Sequence, residues 1–216
     1  MEIRYLGRSC FEIKNKNLAI VTDPFSDRDG LKLPKLKANI VTVSHNHSDH
    51  NNFAAIDGVS AEKKPFVVES AGGYEIEGVL VEGIPSFHDN KGGTERGINT
   101  IFDFKFDGMN FCHLGDLGCN LNEEQLESLS NVDILFVPVG GKYTIDAEDA
   151  VKVVNKIEPR IVIPMHYNDN GSDDSLAGVE KFIKELGVEA ENLNILKIEK
   201  RDLPVEGMRL IILGEA

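Results

Sequence analysis

The feature that most limits what this chain can fold into is the way its apolar residues are cut into short runs. Up to residue 113, β-branched and aromatic residues come in brief stretches separated by Gly, Pro, Asn or Asp. Ile3–Leu6, Cys10–Ile13, Leu18–Thr22, Asn39–Val43, Pro65–Glu69 and Val79–Ile84 read as strands. Ile98–Phe106 and Met109–His113 read as a hairpin, because Asp107-Gly108 between them suits a two-residue turn. Helical signals begin only afterwards. Asn122 can cap Glu123–Leu129, with Gln125 in capping-box register. Asp146 opens Ala147–Ile157, which closes before Pro159. Ser175–Leu186 carries apolar residues at helical spacing and ends at Gly187. Val132–Val137, Arg160–Pro164, Asn194–Ile198 and Met208–Leu213 read as the strands between and after these helices. Strands first, then strand and helix in alternation, imply an α/β protein with two sheets and helices on their outer faces. With 216 residues and no repeat or linker, one domain spanning 1–216 is expected.

Charge narrows the partners. The formal net charge is −13, which argues against nucleic acid and against an anionic membrane surface, since phosphate binding rests on Lys and Arg. No apolar stretch approaches the roughly 20 residues of a membrane helix. Met1–Tyr5 shows no basic segment leading into an apolar run. The three cysteines (Cys10, Cys112, Cys119) form no C-x-x-C pair, as expected of a reduced, cytoplasmic chain. A small-molecule substrate is expected, anionic substrates included, and a homo-oligomer is left open.

The histidines carry the chemistry. The chain has six, and three of them lie in His45-Asn46-His47-Ser48-Asp49-His50, directly after an apolar strand. Imidazole and carboxylate together suit divalent transition metals. On a turn, this spacing serves two adjacent ions better than one. His88, Asp116 and His166 each follow another apolar strand beside Gly or Pro. A lone histidine is commonly a hydrogen-bonded surface or core group; several potential ligands at strand ends point instead to one convergent site.

These residues resemble the metallo-β-lactamase superfamily. His45, His47, Asp49 and His50 match its signature motif, and His88, Asp116 and His166 match its three later ligands in order. Ile3–Phe11 and Val21–Pro24 resemble the family's opening hairpin strands, and the segments His88-Asp89, Arg96–Thr100, His113–Gly118, Val137–Thr144 and Ile163–Tyr167 are similar to one branch, the ascorbate-6-phosphate-lactonase-like metal-dependent hydrolases. The resemblance implies a four-layer αββα sandwich with the metal site at one edge between the sheets. It implies one ion held by His45, His47 and His88, a second by Asp49, His50 and His166, and Asp116 bridging both. It implies zinc most often, with manganese or iron in some branches. It also implies that Asp23 supports the metal-binding loop through hydrogen bonds.

Two divalent ions roughly 3.5–4 Å apart can share a water and lower its pKa toward about 7. The reaction class is then metal-assisted hydrolysis of a lactone, ester or related bond, with Asp49 a proton acceptor as well as a ligand. His113, outside the ligand set, is either a group that orients a carboxylate or a proton donor to the leaving group. Arg96 and Lys142 are candidate anion contacts, and Asn99, Tyr143 and Tyr167 are candidate pocket residues, with Asn46 and Asn168 beside them. The segments 169–175 and 27–34 are candidate rim loops. A phosphodiesterase of the same fold is the nearest alternative. A non-hydrolytic redox or sensor protein is a third reading, weakened because His47 stands where a carboxylate would better suit iron.

Overall fold

The computed structural model describes residues 1–27, 31–168 and 175–215. In chain order the strands and helices are β1 (Glu2–Gly7), β2 (Cys10–Lys14), β3 (Ala19–Thr22), β4 (Lys37–Ala38), β5 (Ile40–Thr42), β6 (Asp57–Gly58), β7 (Phe66–Val68), β8 (Gly72–Ile76), β9 (Val79–Phe87), β10 (Ile98–Phe106), β11 (Met109–His113), α1 (Glu123–Ser128), β12 (Ile134–Pro138), α2 (Ala147–Ile157), β13 (Ile161–Met165), α3 (Val179–Leu186), β14 (Ala190–Leu193), β15 (Leu196–Lys197) and β16 (Arg209–Leu213). They build a six-stranded sheet in the order β15-β1-β2-β3-β5-β7, an eight-stranded sheet in the order β14-β16-β13-β12-β11-β10-β9-β8, and a small β4-β6 ribbon.

Period-two alternation explains the layers. On β12, Ile134 and Phe136 face the other sheet while Leu135 and Val137 face the helices. Ile161 and Ile163 against Val162, and Ile211 against Leu210 and Ile212, divide the same way on β13 and β16. The inter-sheet core is thus aromatic and aliphatic, with Phe11, Phe102, Phe104, Phe111 and Phe136 fully buried. On the far face of the eight-stranded sheet, Ala147, Ala150, Val153, Val154 and Ile157 of α2 and Phe182 of α3 close the second core. The outer layer over the six-stranded sheet is built differently: among the described residues it is loop, the β4-β6 ribbon and a 3-10 turn (Phe53–Ala55), packed through Phe25, Leu36 and Ile56. No helix among the described residues is long and apolar enough to cross a membrane.

Local chemistry sets most boundaries. Asp107 and Gly108 both take positive φ (55° and 77°), the geometry of the expected hairpin turn. Asn122 accepts from the Gln125 amide and the Gln125 side chain returns to the Asn122 amide, so α1 has its capping box. Two expectations are corrected. The helix expected over Ser175–Leu186 begins only at Val179. The preceding backbone is spent elsewhere: the Ala177 amide donates to Gly140 O at 2.9 Å and the Ala177 carbonyl accepts from the Asn168 amide at 3.0 Å. Of the strand expected over Asn194–Ile198, only a two-residue part forms. The neighbour of β16 is β14, and only Leu196–Lys197 pairs as β15, antiparallel to β1 in the other sheet.

β11, β12 and β13 run parallel, and β9 runs antiparallel to β10, which is itself antiparallel to β11. The C-terminal ends of β9, β11, β12 and β13 therefore share one edge. His88, Asp116 and His166 follow three of these ends.

Candidate metal centre

The site begins with Asp23, a fully buried residue just after β3 with φ 39°. Its Oδ1 accepts from the Ser44 amide at 2.7 Å. Its Oδ2 accepts from Ser44 Oγ at 2.5 Å and lies 2.9 Å from His50 Nδ1. Ser44 Oγ in turn lies 2.9 Å from His45 Nδ1. The proton count fixes the donors. The single Ser44 hydroxyl proton goes to Asp23, so Ser44 accepts from His45 Nδ1–H, and the ionised Asp23 accepts from His50 Nδ1–H. Both rings are thereby left with Nε2 as the lone-pair nitrogen. Burial works to raise the Asp23 carboxyl, but the hydrogen bond from His50 and the nearby His113 outweigh it and hold it low.

Those lone pairs converge on Asp116. Asp116 Oδ2 lies 3.2 Å from His50 Nε2, 3.2 Å from His166 Nε2, 3.4 Å from His88 Nε2 and 3.9 Å from His45 Nε2. Ser9 Oγ donates to the other oxygen, Oδ1, at 3.2 Å. The candidate ligand atoms of His45, His47 and His88 lie within 4.8 Å of one another, as do those of Asp49, His50 and His166. His47 is exposed, Asp49 half-buried, and the remaining five are buried. Burial and then His50 push His45 down to about 3. Burial opposes charge on His50 as well, but Asp116 and Asp23 on either side draw a proton to it and raise it well above the ordinary range. For Asp116, burial is outweighed by His166 and His50, which hold the carboxyl well below its usual range.

This donor set fits divalent cations. His45 Nε2 and His50 Nε2 are buried without a hydrogen-bond partner and face Asp116, and without a cation between them His50 takes up a proton instead. The neutral His45 ring leaves an unshared pair facing an anion, and a centre that draws a proton onto one buried imidazole while denying it to the next suits a cation placed between them. Asp23, Asp49 and Asp116 bring negative charge to the same centre, as nitrogen and oxygen sites for such ions do.

Asp116 is aimed from beneath. Asn99, buried on β10, accepts from the Asp116 amide at 2.9 Å through Oδ1 and donates through Nδ2 to Leu114 O and Ser86 Oγ. Gly115, at φ +56°, lies so close to Asn99 and Ser44 that a Cβ there would collide with both. His113 is fully buried; its Nε2 donates to Ser9 O at 2.8 Å, and its Nδ1 accepts from the Gly115 amide at 3.2 Å. Two expected roles are corrected on this basis. With both nitrogens spent on backbone, His113 has no proton to offer a leaving group; it clamps the turn that carries Asp116. With its amide spent on Ser86, Leu114 and Asp116, Asn99 is no substrate contact.

A pocket of about 170 Å³ opens over this centre, lined by Arg8, His47, Asp49, His88, Arg96, Asp116, Tyr143 and His166. Arg96 and Tyr143, the candidate anion contact and the candidate pocket residue, both line it. Lys142 is not among the lining residues, but its Nζ lies 5.0 Å from the Tyr143 ring centre. Tyr167 is corrected: it is buried against the helix-side core and does not line this pocket. Asn46 and Asn168 do not line it either. Of the two rim segments, residues 28–30 and 169–174 lie outside the described residues. Arg8 and Ser9, in the β1–β2 turn, were missed. Arg8 Nη1 lies 3.4 Å from Asp49 Oδ2, and the Arg8 carbonyl accepts from the His166 amide at 2.8 Å. Nothing in Gly7-Arg8-Ser9 distinguishes it from any hairpin turn.

Residues 2–166 match the model of the beta-lactamase superfamily domain. The chain belongs to that family. It is 31% identical over 194 residues to a UPF0173 metal-dependent hydrolase of Pelotomaculum thermopropionicum, covering 78% of this chain and 85% of that one. It is 29% identical to a UPF0173 metal-dependent hydrolase of Thermoplasma acidophilum, over 95% of this chain and 98% of the other. Among solved structures it is similar to a Thermotoga maritima member of the metallo-beta-lactamase superfamily described as a candidate Zn-dependent hydrolase, with TM-score 0.80, 33% identity and 98% coverage of both chains.

Proposed function

We propose that this protein is a metal-dependent hydrolase that holds two divalent ions and cleaves a small lactone, ester or related substrate. The observation that carries the reading is the convergence of four imidazole Nε2 atoms within 3.9 Å of Asp116 Oδ2, two of them with lone pairs fixed by Asp23. His45, His47 and His88 would hold one ion and Asp49, His50 and His166 the other, with Asp116 shared. Zinc suits so many imidazoles best; manganese and iron remain alternatives for the metal analysis to decide. When bound, such a pair supplies a shared water of pKa near 7 as nucleophile and polarises the carbonyl under attack.

The chain's own residues supply the rest. Asp49, held low because His50 outweighs its burial, is an acceptor at the pocket wall for the proton released on attack. Arg8, 3.4 Å from Asp49, fixes that carboxylate and leaves the pocket less negative. Ser9 and the Asp116 turn hold the shared carboxylate in place. The pocket volume of about 170 Å³ falls below the roughly 300–1,000 Å³ of drug-sized sites, which favours a small substrate over a polymer. The lactonase-like branch of the family is consistent with that size.

The test is metal analysis of the purified protein coupled to a screen of lactones, aryl esters, thioesters and phosphodiesters, before and after chelation. About two ions per chain and an ester or lactone rate lost on chelation are expected. A full metal load with no turnover of any class would remove the hydrolase reading. Unchanged kcat in Asp49→Ala would remove Asp49 from the proton path.

A further inference from the structure

The loop between β9 and β10 is built around one carboxylate. Asp89, buried at its start, accepts four backbone N–H groups: Lys91 at 2.8 Å and Gly93 at 2.9 Å on Oδ1, Glu95 at 3.0 Å and Arg96 at 2.8 Å on Oδ2. Burial works against the charge, but these donors prevail and hold the carboxyl down to about 2. Every acceptor direction of Asp89 is consumed by backbone. The next carboxylate in the loop, Glu95, is taken by Lys91 Nζ at 2.6 Å. Arg96 is thus fixed at its amide and, among the described residues, has no carboxylate partner. Its guanidinium lies 4.8 Å from the centre of the Tyr143 ring, at the pocket wall.

Lys142 arrives at the same ring from the other chain segment, 5.0 Å from its centre. It too has no carboxylate partner among the described residues. Of the acids on the adjoining helix, Asp146 caps the Asp149 amide, Asp149 holds Lys152 and Glu148 faces Lys181. In a chain of 36 acidic and 23 basic side chains, two cations within 5.0 Å of one ring centre, and so less than about 10 Å apart, with no carboxylate partner among the described residues are out of proportion. Two like charges at that range repel until an anion joins them, and the ring supplies only part of the compensation.

We propose that Arg96 and Lys142, presented on Tyr143, form an oxyanion-binding rim to the pocket, so that the substrate carries a carboxylate or phosphate besides the bond that is cleaved. Asp89 is the positioning residue that holds Arg96 there. The inference rests on the hydrolase reading for the cleaved bond, and on Arg96 and Lys142 alone for the anionic group. An oxyanion bridging them is met by the guanidinium fork on one side and an ammonium on the other. The metal centre is left to the scissile group.

The experiment uses metal-loaded protein and two aryl esters with the same leaving group, p-nitrophenyl propionate and mono-p-nitrophenyl succinate. The ratio of their kcat/KM values is measured for the parent, Arg96→Gln, Lys142→Gln and Asp89→Asn. The parent should favour the succinate ester. Arg96→Gln should lower the ratio by about tenfold to a hundredfold, the range for losing one charge-assisted bond. Asp89→Asn should lower it in the same direction, and a ratio of two substrates is not moved by loss of folded protein. Calorimetric titration with succinate and with inorganic phosphate is the second arm: the parent binds one or both, which identifies the oxyanion, and Arg96→Gln weakens it by a similar factor. Ratios and anion affinities equal in the parent and Arg96→Gln would overturn the inference. Succinate or phosphate binding that depends on Arg96, with neither ester cleaved, would instead defeat the ester-hydrolase reading and leave the anion site standing.

Discussion

Asp23→Asn should separate the stability of this site from its affinity for metal. In the parent, Asp23 Oδ2 receives the Ser44 hydroxyl at 2.5 Å and faces His50 Nδ1 at 2.9 Å. The proton order runs from His45 through Ser44 to Asp23, and from His50 to Asp23. An asparagine amide at that position would donate one hydrogen to Ser44 Oγ and the other to His50 Nδ1, while its oxygen keeps the Ser44 amide. Ser44 would then donate to His45 Nδ1. Every bond is remade, but both imidazoles change tautomer, and their Nε2 atoms now carry hydrogens aimed at Asp116. A centre that asked for cations becomes a set of donors satisfied by a carboxylate. Groups that orient metal ligands are worth about 10–100-fold in affinity, or about 1.4–2.8 kcal/mol. The assay is zinc competition against a calibrated chelator, with thermal melting in excess EDTA beside it. Asp23→Asn should melt in EDTA at or above the parent and bind zinc at least tenfold more weakly. If it holds zinc as tightly as the parent, Asp23 does not set the tautomers.

Three other outcomes follow from the same geometry. Asp116→Ala removes the one oxygen facing all four Nε2 atoms; metal content by emission spectrometry should fall and turnover should drop at least a hundredfold, and full content with full activity would refute the shared-carboxylate assignment. Gly115→Ala meets both positive φ and collision with Asn99 and Ser44; a loss above about 2 kcal/mol in urea unfolding is expected, and a neutral result would mean the turn relaxes freely. Asp103, buried on β10, is raised from its ordinary 3.8 to about 7, by burial first and also by Glu82. A carboxyl whose folded value is raised favours its protonated form in the fold, so its contribution is present below about pH 4 and lost as pH rises toward 7, at most about 4 kcal/mol. Asp103→Asn should therefore gain on the parent in melting temperature between pH 4 and pH 8; a difference that does not change with pH would show that Asp103 ionises freely.

The parts of this molecule that were legible in the sequence are those whose chemistry is both rare and local. Strand β10, the Asp107-Gly108 turn, the Asn122 capping box and α2 each declare themselves within a few residues. Strand β8 (Gly72–Ile76) does not: it opens with two glycines, and its turn to β9 uses Glu77-Gly78, both at positive φ, where the left-handed residue before glycine is not the usual Asn or Asp. The late start of α3 was equally hidden, since the bonds that hold Ala177 off the helix come from Gly140 and Asn168. β15 went astray for a like reason: its partner, β1, lies at the opposite end of the chain.

The site divides along the same line, and the division says how it is assembled. Its seven candidate ligands are histidines and aspartates at strand ends, visible one by one. The residues that aim them are not: Ser9, Ser44, Ser86, Asn99 and the backbone of Arg8 are common types, and each acts on a partner in another element, Ser9 on Asp116 from the β1–β2 turn of one sheet and Asn99 on it from β10 of the other. His113 shows the cost of reading type alone. Its rarity among six histidines made it look chemical, yet its two ring nitrogens tie Ser9 of one sheet to the Asp116 turn of the other. The site is therefore held by cross-links between the two sheets at the edge where they meet. Substitutions at these common residues should loosen metal binding before they loosen the fold, because the aromatic core beneath keeps the sheets together without them.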